Sequence, residues 1–270
     1  MSDQYGLEDL LYLMARLRDP GDGCPWDLKQ DFASIVPHTL EEAYEVADTI
    51  EQQNWPHLKD ELGDLLFQVI FYARLGEEQS RFDFGAIVDN LVRKLVRRHP
   101  HVFPEGTLQS RRSGSDISDE QIKGTWEKIK QQERVEKASK RVLDDIPQAL
   151  PALNRAVKLQ SRASKVGFDW NDPLLVLDKI EEEIAELREA IAAGDQIEIE
   201  HELGDMIFAQ VNLARHLEVN PESALRYTNR KFERRFAHVE DRVVESDREW
   251  QQFTLDELDG FWDEAKEKGL

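Results

Sequence analysis

The chain spells one acidic pattern twice. Residues 60–67 read DELGDLLF and residues 201–208 read HELGDMIF, 141 positions apart. At the same offset Glu41, Glu42, Glu45, Glu61, Gly63, Asp64, Phe67, Ala73 and Arg74 recur as Glu182, Glu183, Glu186, Glu202, Gly204, Asp205, Phe208, Ala214 and Arg215. Further on the offset slips to 137, pairing Lys94, Arg97, Arg98 and His101 with Lys231, Arg234, Arg235 and His238, and then to 136, pairing Trp126 with Trp262. Small insertions and deletions in loops account for such slips. A tandem duplication limits the fold severely: the 270 residues must form two copies of one unit rather than a single mixed domain or a many-repeat solenoid. The expected domains are residues 1–135 and 136–270.

Within each copy the apolar spacing is helical. Leu40, Ala43, Val46, Ala47 and Ile50 repeat at steps of three and four in 39–53, and Leu62, Leu65, Leu66, Val69, Ile70 and Ala73 do so in 58–75. No two-residue alternation competes with this pattern, so the predicted class is all-α. Connections as short as QQNWPH (52–57) predict antiparallel neighbours packed as helical bundles. The stretch from Pro104 to Ser118 is rich in Gly, Ser and charge and reads as a mobile loop. A helix is expected from Asp119 to about Ser139, and LDDIPQALP (143–151), with two prolines, reads as a hinge between the halves.

The repeated acids form a pattern of their own: EE-x-x-E, fifteen residues, then E-x-x-D. Glu42 and Glu45 share one helix face, and Glu61 and Asp64 share a face of the next helix. If the two helices are antiparallel, the four carboxylates converge; Glu183, Glu186, Glu202 and Asp205 form the second set. Two carboxylates about 4 Å apart repel by roughly 4 kcal/mol at an effective dielectric near 20. A divalent cation reverses the sign of that sum. An all-oxygen donor set without Cys or His selects Mg²⁺ or Mn²⁺, so the cluster reads as a metal-assisted phosphate site. One ExxE in a chain with 55 acidic residues is ordinarily a solvated face; the repeated pairing with ExxD argues otherwise. Gly63 and Gly204 sit inside the second helix of each pair, where glycine costs about 1 kcal/mol against alanine. Either a close ligand or tight helix packing explains them.

A phosphate site needs cations. Lys231 and Arg235 share a helix face, as do Lys94 and Arg98. Phe232 and Phe236 supply the apolar stripe between the C-terminal pair. Trp126 and Trp262 sit on charged terminal helices, where either core cover or stacking on a base is physically reasonable. Trp26 in CPWD and Trp170 in GFDW precede the acidic helices in each half, with packing and ligand contact equally open.

Charge and composition narrow the partners. The net charge of −20 repels nucleic acid and anionic membranes at long range. Cys24 is the single cysteine, so no internal disulfide forms, which fits a reducing cytosol. The N-terminal MSDQYGLEDL lacks a basic leader, and no apolar run is long enough to span a bilayer. A cytoplasmic protein is the expectation.

The order CPWD, LEEAYEV, ELGDLLF and ELGDMIF, followed by KFERRF, resembles the MazG-type nucleoside triphosphate pyrophosphohydrolases from about Leu7 to Lys266. The resemblance implies an all-α homodimer that hydrolyses NTPs and dNTPs to the monophosphate and pyrophosphate with Mg²⁺ and little base selectivity. It implies that Glu183, Glu186, Glu202 and Asp205 hold metal in the main catalytic half. Lys231 and Arg235 would contact phosphates, with Trp262 near the nucleotide. Glu42, Glu45, Glu61, Asp64, Lys94 and Arg98 are the first-half equivalents. One position departs: a lysine four residues before the ExxD glutamate in some relatives is Glu198 here. Two alternatives stand beside this reading. A di-iron carboxylate bundle needs Glu-x-x-His, which Glu198 and His201 satisfy only once; an acidic helical interaction scaffold needs no chemistry at all.

Overall fold

The computed structural model describes residues 4–112, 118–136 and 141–270. The chain divides into two compact units, Met1–Glu133 and Arg134–Leu270. Among the described residues all regular structure is helical, as the spacing predicts.

The N-terminal unit contains α1 (Leu7–Leu17), α2 (Phe32–Glu51), α3 (Trp55–Glu78), α4 (Phe84–Arg98) and all but the last three residues of α5 (Asp119–Glu136). The antiparallel pair α2–α3 is its main packing interface, with α1 and α4 laid against α3. Its core is Met14, Ile35, Ile70, Phe71 and Leu75, each at most 2% exposed. Arg18 closes one end of this core. Its guanidinium is 6% exposed and donates from Nε and Nη2 to Glu78 at 2.9 and 2.6 Å. It also stacks over Phe71 and donates to the Asp27 carbonyl.

The C-terminal unit repeats the plan with α6 (Ala152–Ser164), α7 (Pro173–Ala193), α8 (Gln196–His216), α9 (Pro221–Glu245) and α10 (Leu255–Glu267). Here α7 packs on α8, α6 lies against α8, and α10 against α9. Its buried apolar residues are Ile146, Ala156, Val176, Ala190, Ala209, Val211, Val239, Val243 and Ala265, mostly small side chains.

Three sequence expectations need correction or restriction. Helix α2 starts at Phe32 and extends upstream of the 39–53 stretch whose apolar spacing is helical. Asp31 caps it by accepting from the Ser34 N–H, and the helix continues through Pro37, which lacks the amide that a helix interior uses. Gly63 and Gly204 are not there for tight packing: a Cβ at either would meet nothing within 4 Å. In the expected loop Pro104–Ser118, residues 104–112 and 118 lie outside any helix, while 113–117 fall outside the described residues, as do 137–139 at the end of the expected helix.

Candidate active site

Two turns set the register of the carboxylates. Helix α7 ends at Gly194, which adopts φ +69°, a left-handed conformation that glycine tolerates. Asp195 then caps α8 by accepting from the Ile197 and Glu198 amides at 3.1 and 3.3 Å. In the first unit residues 52–54 make the turn, with Asn54 capping α3. Counted from the middle residue of that turn, Glu45 and Glu61 lie eight residues away on opposite strands of the hairpin, and Glu42 and Asp64 eleven. At 1.5 Å rise per residue those pairs stand level, about 12 and about 16 Å from the turn. The second hairpin has the same register to within one residue.

The outcome is a carboxylate triad in each unit. Ligand oxygens of Glu42, Glu45 and Glu61 all lie within 4.8 Å of one another, and so do those of Glu183, Glu186 and Glu202. Glu61 and Glu183 are the buried members, at 6% and 5% exposure. Asp64 and Asp205 do not join the triads at that distance, though their charges bear on Glu42 and Glu202.

Burial and crowding raise the proton affinity of three of these acids. Desolvation, then the charges of Asp64 and Glu61, push Glu42 above the ordinary carboxylate value. Desolvation and Glu61 do the same to Glu45. Desolvation followed by Glu186, Glu183 and Asp205 raises Glu202. An all-oxygen set under mutual repulsion fits a hard divalent cation.

Each triad has a basic side chain beside it that sequence reasoning did not single out. Lys179, one turn before Glu183 on α7, bonds Glu182 and Glu183 at 2.8 Å each, and both hydrogen bonds raise its pKa. In the first unit His57 Nε2 lies 2.7 Å from Glu61. The i, i+4 spacing of base and acid, Lys179 to Glu183 and His57 to Glu61, was the available signal.

The C-terminal triad opens on a cavity of about 840 Å³ between α6, the 167–170 loop, α7 and α8. Lys179, Glu183 and Asp205 line one part, and Phe168, Trp170 and Phe208 give it an aromatic lining. Asp169 in the same loop is held by Arg215 and His216. Burial would push its carboxyl up, but these two partners outweigh burial and leave it below the usual range.

The other predicted residues sit elsewhere. Arg235 stacks on Trp262 with its guanidinium carbon 5.6 Å from the ring centre, and donates to the Leu270 carbonyl. Phe232 packs on Trp262 at 5.1 Å. Lys231 is half-buried on the same helix. None of Lys231, Arg235 and Trp262 lines the cavity. In the first unit Arg98, together with Arg97, is engaged by Glu133; Lys94 is half-buried on α4 and Trp126 packs near His99. Trp26 lies edge-on to His38. Glu198 and His201 pair only loosely with each other, at 3.9 Å and largely exposed, and neither belongs to the triad, so the di-iron arrangement is not formed.

These features define a class: a tandem all-α protein with a carboxylate triad that could hold a metal ion in each copy and a cavity of about 840 Å³ beside the second. The model of the MazG nucleotide pyrophosphohydrolase domain matches residues 30–103 and 171–240, which contain both triads. A nucleoside triphosphate pyrophosphohydrolase from Escherichia coli K12 is 46% identical over 268 residues, 98% of each chain. The nucleoside triphosphate pyrophosphohydrolase/pyrophosphatase MazG of Thermotoga maritima is 41% identical over 259 residues, 96% of this chain and 95% of that one. The chain belongs to the MazG nucleotide pyrophosphohydrolase family.

Proposed function

We propose that this enzyme hydrolyses NTPs and dNTPs to the monophosphate and pyrophosphate, using Mg²⁺ or Mn²⁺, with broad base tolerance. Its domains are residues 1–135 and 136–270, and the C-terminal one is the main catalytic half. One observation carries this reading: Glu183 belongs both to the carboxylate triad and to the wall of the 840 Å³ cavity. Metal and nucleotide would therefore meet at one side chain.

Glu183, Glu186, Glu202 and Asp205 would hold the metal. Bound there, Mg²⁺ would neutralise triphosphate oxygens and the departing pyrophosphate. Glu183 is fixed for this by burial and by Lys179. A triad carboxylate orients water toward the α-phosphorus and takes up its proton. Lys231 and Arg235 would balance phosphate charge, an assignment supported by their place in the matched family segment, with Trp262 beside the nucleotide. The first unit carries the corresponding Glu42, Glu45, Glu61 and Asp64, with Lys94 and Arg98 as its phosphate contacts. There Glu133 already occupies Arg98, which favours the second unit as the main site.

A homodimer is the proposed assembly. Leu177, Ile184 and Ile191 on α7 are exposed at seven-residue intervals, an apolar stripe suited to a second copy. No helix among the described residues is long and apolar enough to cross a membrane. With the charge of −20 this supports a cytoplasmic enzyme that binds neither membrane nor nucleic acid stably.

Pyrophosphate release from a dNTP panel with Mg²⁺ and then with EDTA tests the activity. Glu183→Ala or Asp205→Ala is expected to lower turnover at least about 100-fold with unchanged helical circular dichroism. Full activity in either variant, with Glu42 also replaced, would overturn the assignment.

A further inference from the structure

The cavity in the C-terminal unit has a polar floor. Gln160 on α6 is 7% exposed, and its amide nitrogen donates to the Phe208 carbonyl at 2.8 Å. A carbonyl only accepts, so this amide cannot be turned round. Its Oε1 is buried and has no hydrogen-bond partner among the described residues. Asn212, 5% exposed, is fixed in the opposite sense: its Oδ1 accepts from Arg215 Nε and Nη2 at 3.1 and 2.7 Å. Only its amide N–H groups are then left to offer. Phe208 and Asn212 are one turn apart on α8, and helical carbonyls point toward the following turn. Gln160 is thereby anchored beside Asn212, and both line the cavity that Glu183 and Asp205 also line.

The first copy shows that this floor is not required by the fold. At the offset of 141, Asn212 corresponds to Phe71; aligning LMARL (13–17) with LQSRA (159–163) pairs Gln160 with Met14. Met14 and Phe71 are each 1% exposed in the apolar core of the first unit. The second unit therefore places two buried amides where the first places a thioether and a phenyl ring. A buried acceptor left unmatched is costly, so this arrangement calls for a donor arriving from outside.

We propose that Gln160 and Asn212 read the pairing edge of the substrate's nucleobase, Gln160 Oε1 accepting from a base N–H and Asn212 donating to the neighbouring base acceptor. This deepens the nucleotide reading above and rests on it. A triphosphate carries no N–H donor, and its place with metal is at Glu183 and Asp205 of the cavity lining. Every common base sets a donor next to an acceptor on that edge: the amino group beside N1 in adenine and beside N3 in cytosine, N1–H beside O6 in guanine, N3–H beside O4 in uracil and thymine. Each of these bases thus brings both a donor for Gln160 and an acceptor for Asn212, and a ring without the donor leaves Gln160 unmatched. The exposed rings of Phe168 and Trp170 are then available to the base faces.

The test compares ATP with purine riboside triphosphate, which keeps the ring, sugar and triphosphate but lacks the 6-amino group. Full-length wild-type enzyme with Mg²⁺ is expected to hydrolyse the analogue with kcat/KM lower by roughly 10- to 100-fold. Gln160→Met, which installs the first copy's residue, should lower kcat/KM for ATP and bring the ratio to within about threefold of unity. Equal rates on both nucleotides in the wild type, or undiminished discrimination in Gln160→Met, would overturn the proposal. A loss on going to dATP with none on removing the amino group would put the sugar on this floor and overturn it equally. Should Gln160→Met not fold, the wild-type ratio decides alone. Absence of any ATP turnover would instead sink the nucleotide reading itself.

Discussion

Removing a carboxylate from a metal site should stabilise the protein when metal is absent and cost it that advantage when metal is present. Glu61→Gln is the sharpest case, because Glu61 is buried and its triad partner Glu42 is partly so. With their oxygens within 4.8 Å, the repulsion is about 3.5 kcal/mol at an effective dielectric near 20. Solvent at the half-buried Glu42 reduces that to about 2 kcal/mol. The substitution also loses the exposed His57 partner, worth about 0.5 kcal/mol. The net expectation is a gain of about 1.5 kcal/mol in EDTA at pH 7.5, or roughly 4–8 °C in the melting of this unit. Protons act as metal does, in weaker form. Glu42 and Glu45 hold protons more tightly folded than unfolded, so the folded state binds more protons and metal-free stability rises as pH falls into the carboxylate range. The advantage of Glu61→Gln should shrink over that window. Mg²⁺ at a hundred times its Kd should stabilise the wild-type site by about 2.7 kcal/mol and the variant far less, inverting their order. Differential scanning calorimetry in EDTA and in Mg²⁺ measures both. A variant that melts lower in EDTA, or gains as much from Mg²⁺ as wild type, would refute the reasoning.

The turn between α2 and α3 offers an internal control. Gln53 has φ +56°, whereas its counterpart is Gly194. Gln53→Gly should stabilise by about 0.5–1 kcal/mol and Gly194→Ala destabilise by about 1 kcal/mol, read from urea midpoints. Glu78→Gln should cost about 3 kcal/mol, since it leaves Arg18 buried beside an uncharged amide. The Arg18 hydrogen bond holds the Glu78 pKa below its ordinary 4.5; this stabilisation is present above that value, falls away as pH drops through the folded pKa, and should be missing from the acid limb of the variant's stability curve. Glu198→Lys puts a cation one turn before Glu202, so KM for a triphosphate should fall about fivefold; a rise would show that charge at 198 does not act on the substrate.

The hairpin site was legible because helix geometry is periodic. The spacing of Glu45 and Glu61 about a short turn places their side chains level whatever the rest of the unit does, and three of the four acids expected to converge in each half do so. The fourth acids were less legible: Asp64 and Asp205 stand as far from the bend as Glu42 and Glu183, which join the triads, so spacing along the helix does not separate them. Lys179 escaped notice because a lysine one turn before a glutamate is usually a solvated pair. Gln160 and Asn212 escaped because a lone amide within a polar helix pattern looks exposed. The usable signal was differential, in that the other copy carries Met14 and Phe71 at those positions, and it required aligning α1 with α6 across loops of different length. Lys231, Arg235 and Trp262 came from a resemblance, and helix spacing had no means of relating α9 and α10 to the α7–α8 cavity.

The two copies have diverged in opposite directions from one plan. Across α1 and α3 the first copy has Met14, Phe71 and Leu75, an apolar set at most 2% exposed. The second has Gln160, Asn212 and His216 at the corresponding places and small residues such as Ala209 between them. Large apolar side chains contribute roughly 1.5–3 kcal/mol each when buried, and buried amides contribute only when matched. The second unit thus gives up packing that the same backbone supports in the first. What it gains is concave space next to a carboxylate triad, and polar groups already oriented by α8 at the floor of that space. A unit built this way stays folded on its remaining helix contacts and recovers part of the loss only when a ligand fills the cavity, whereas the first unit needs no ligand to complete its core. Stability and binding capacity are distributed between the halves, and duplication is what lets one chain hold both.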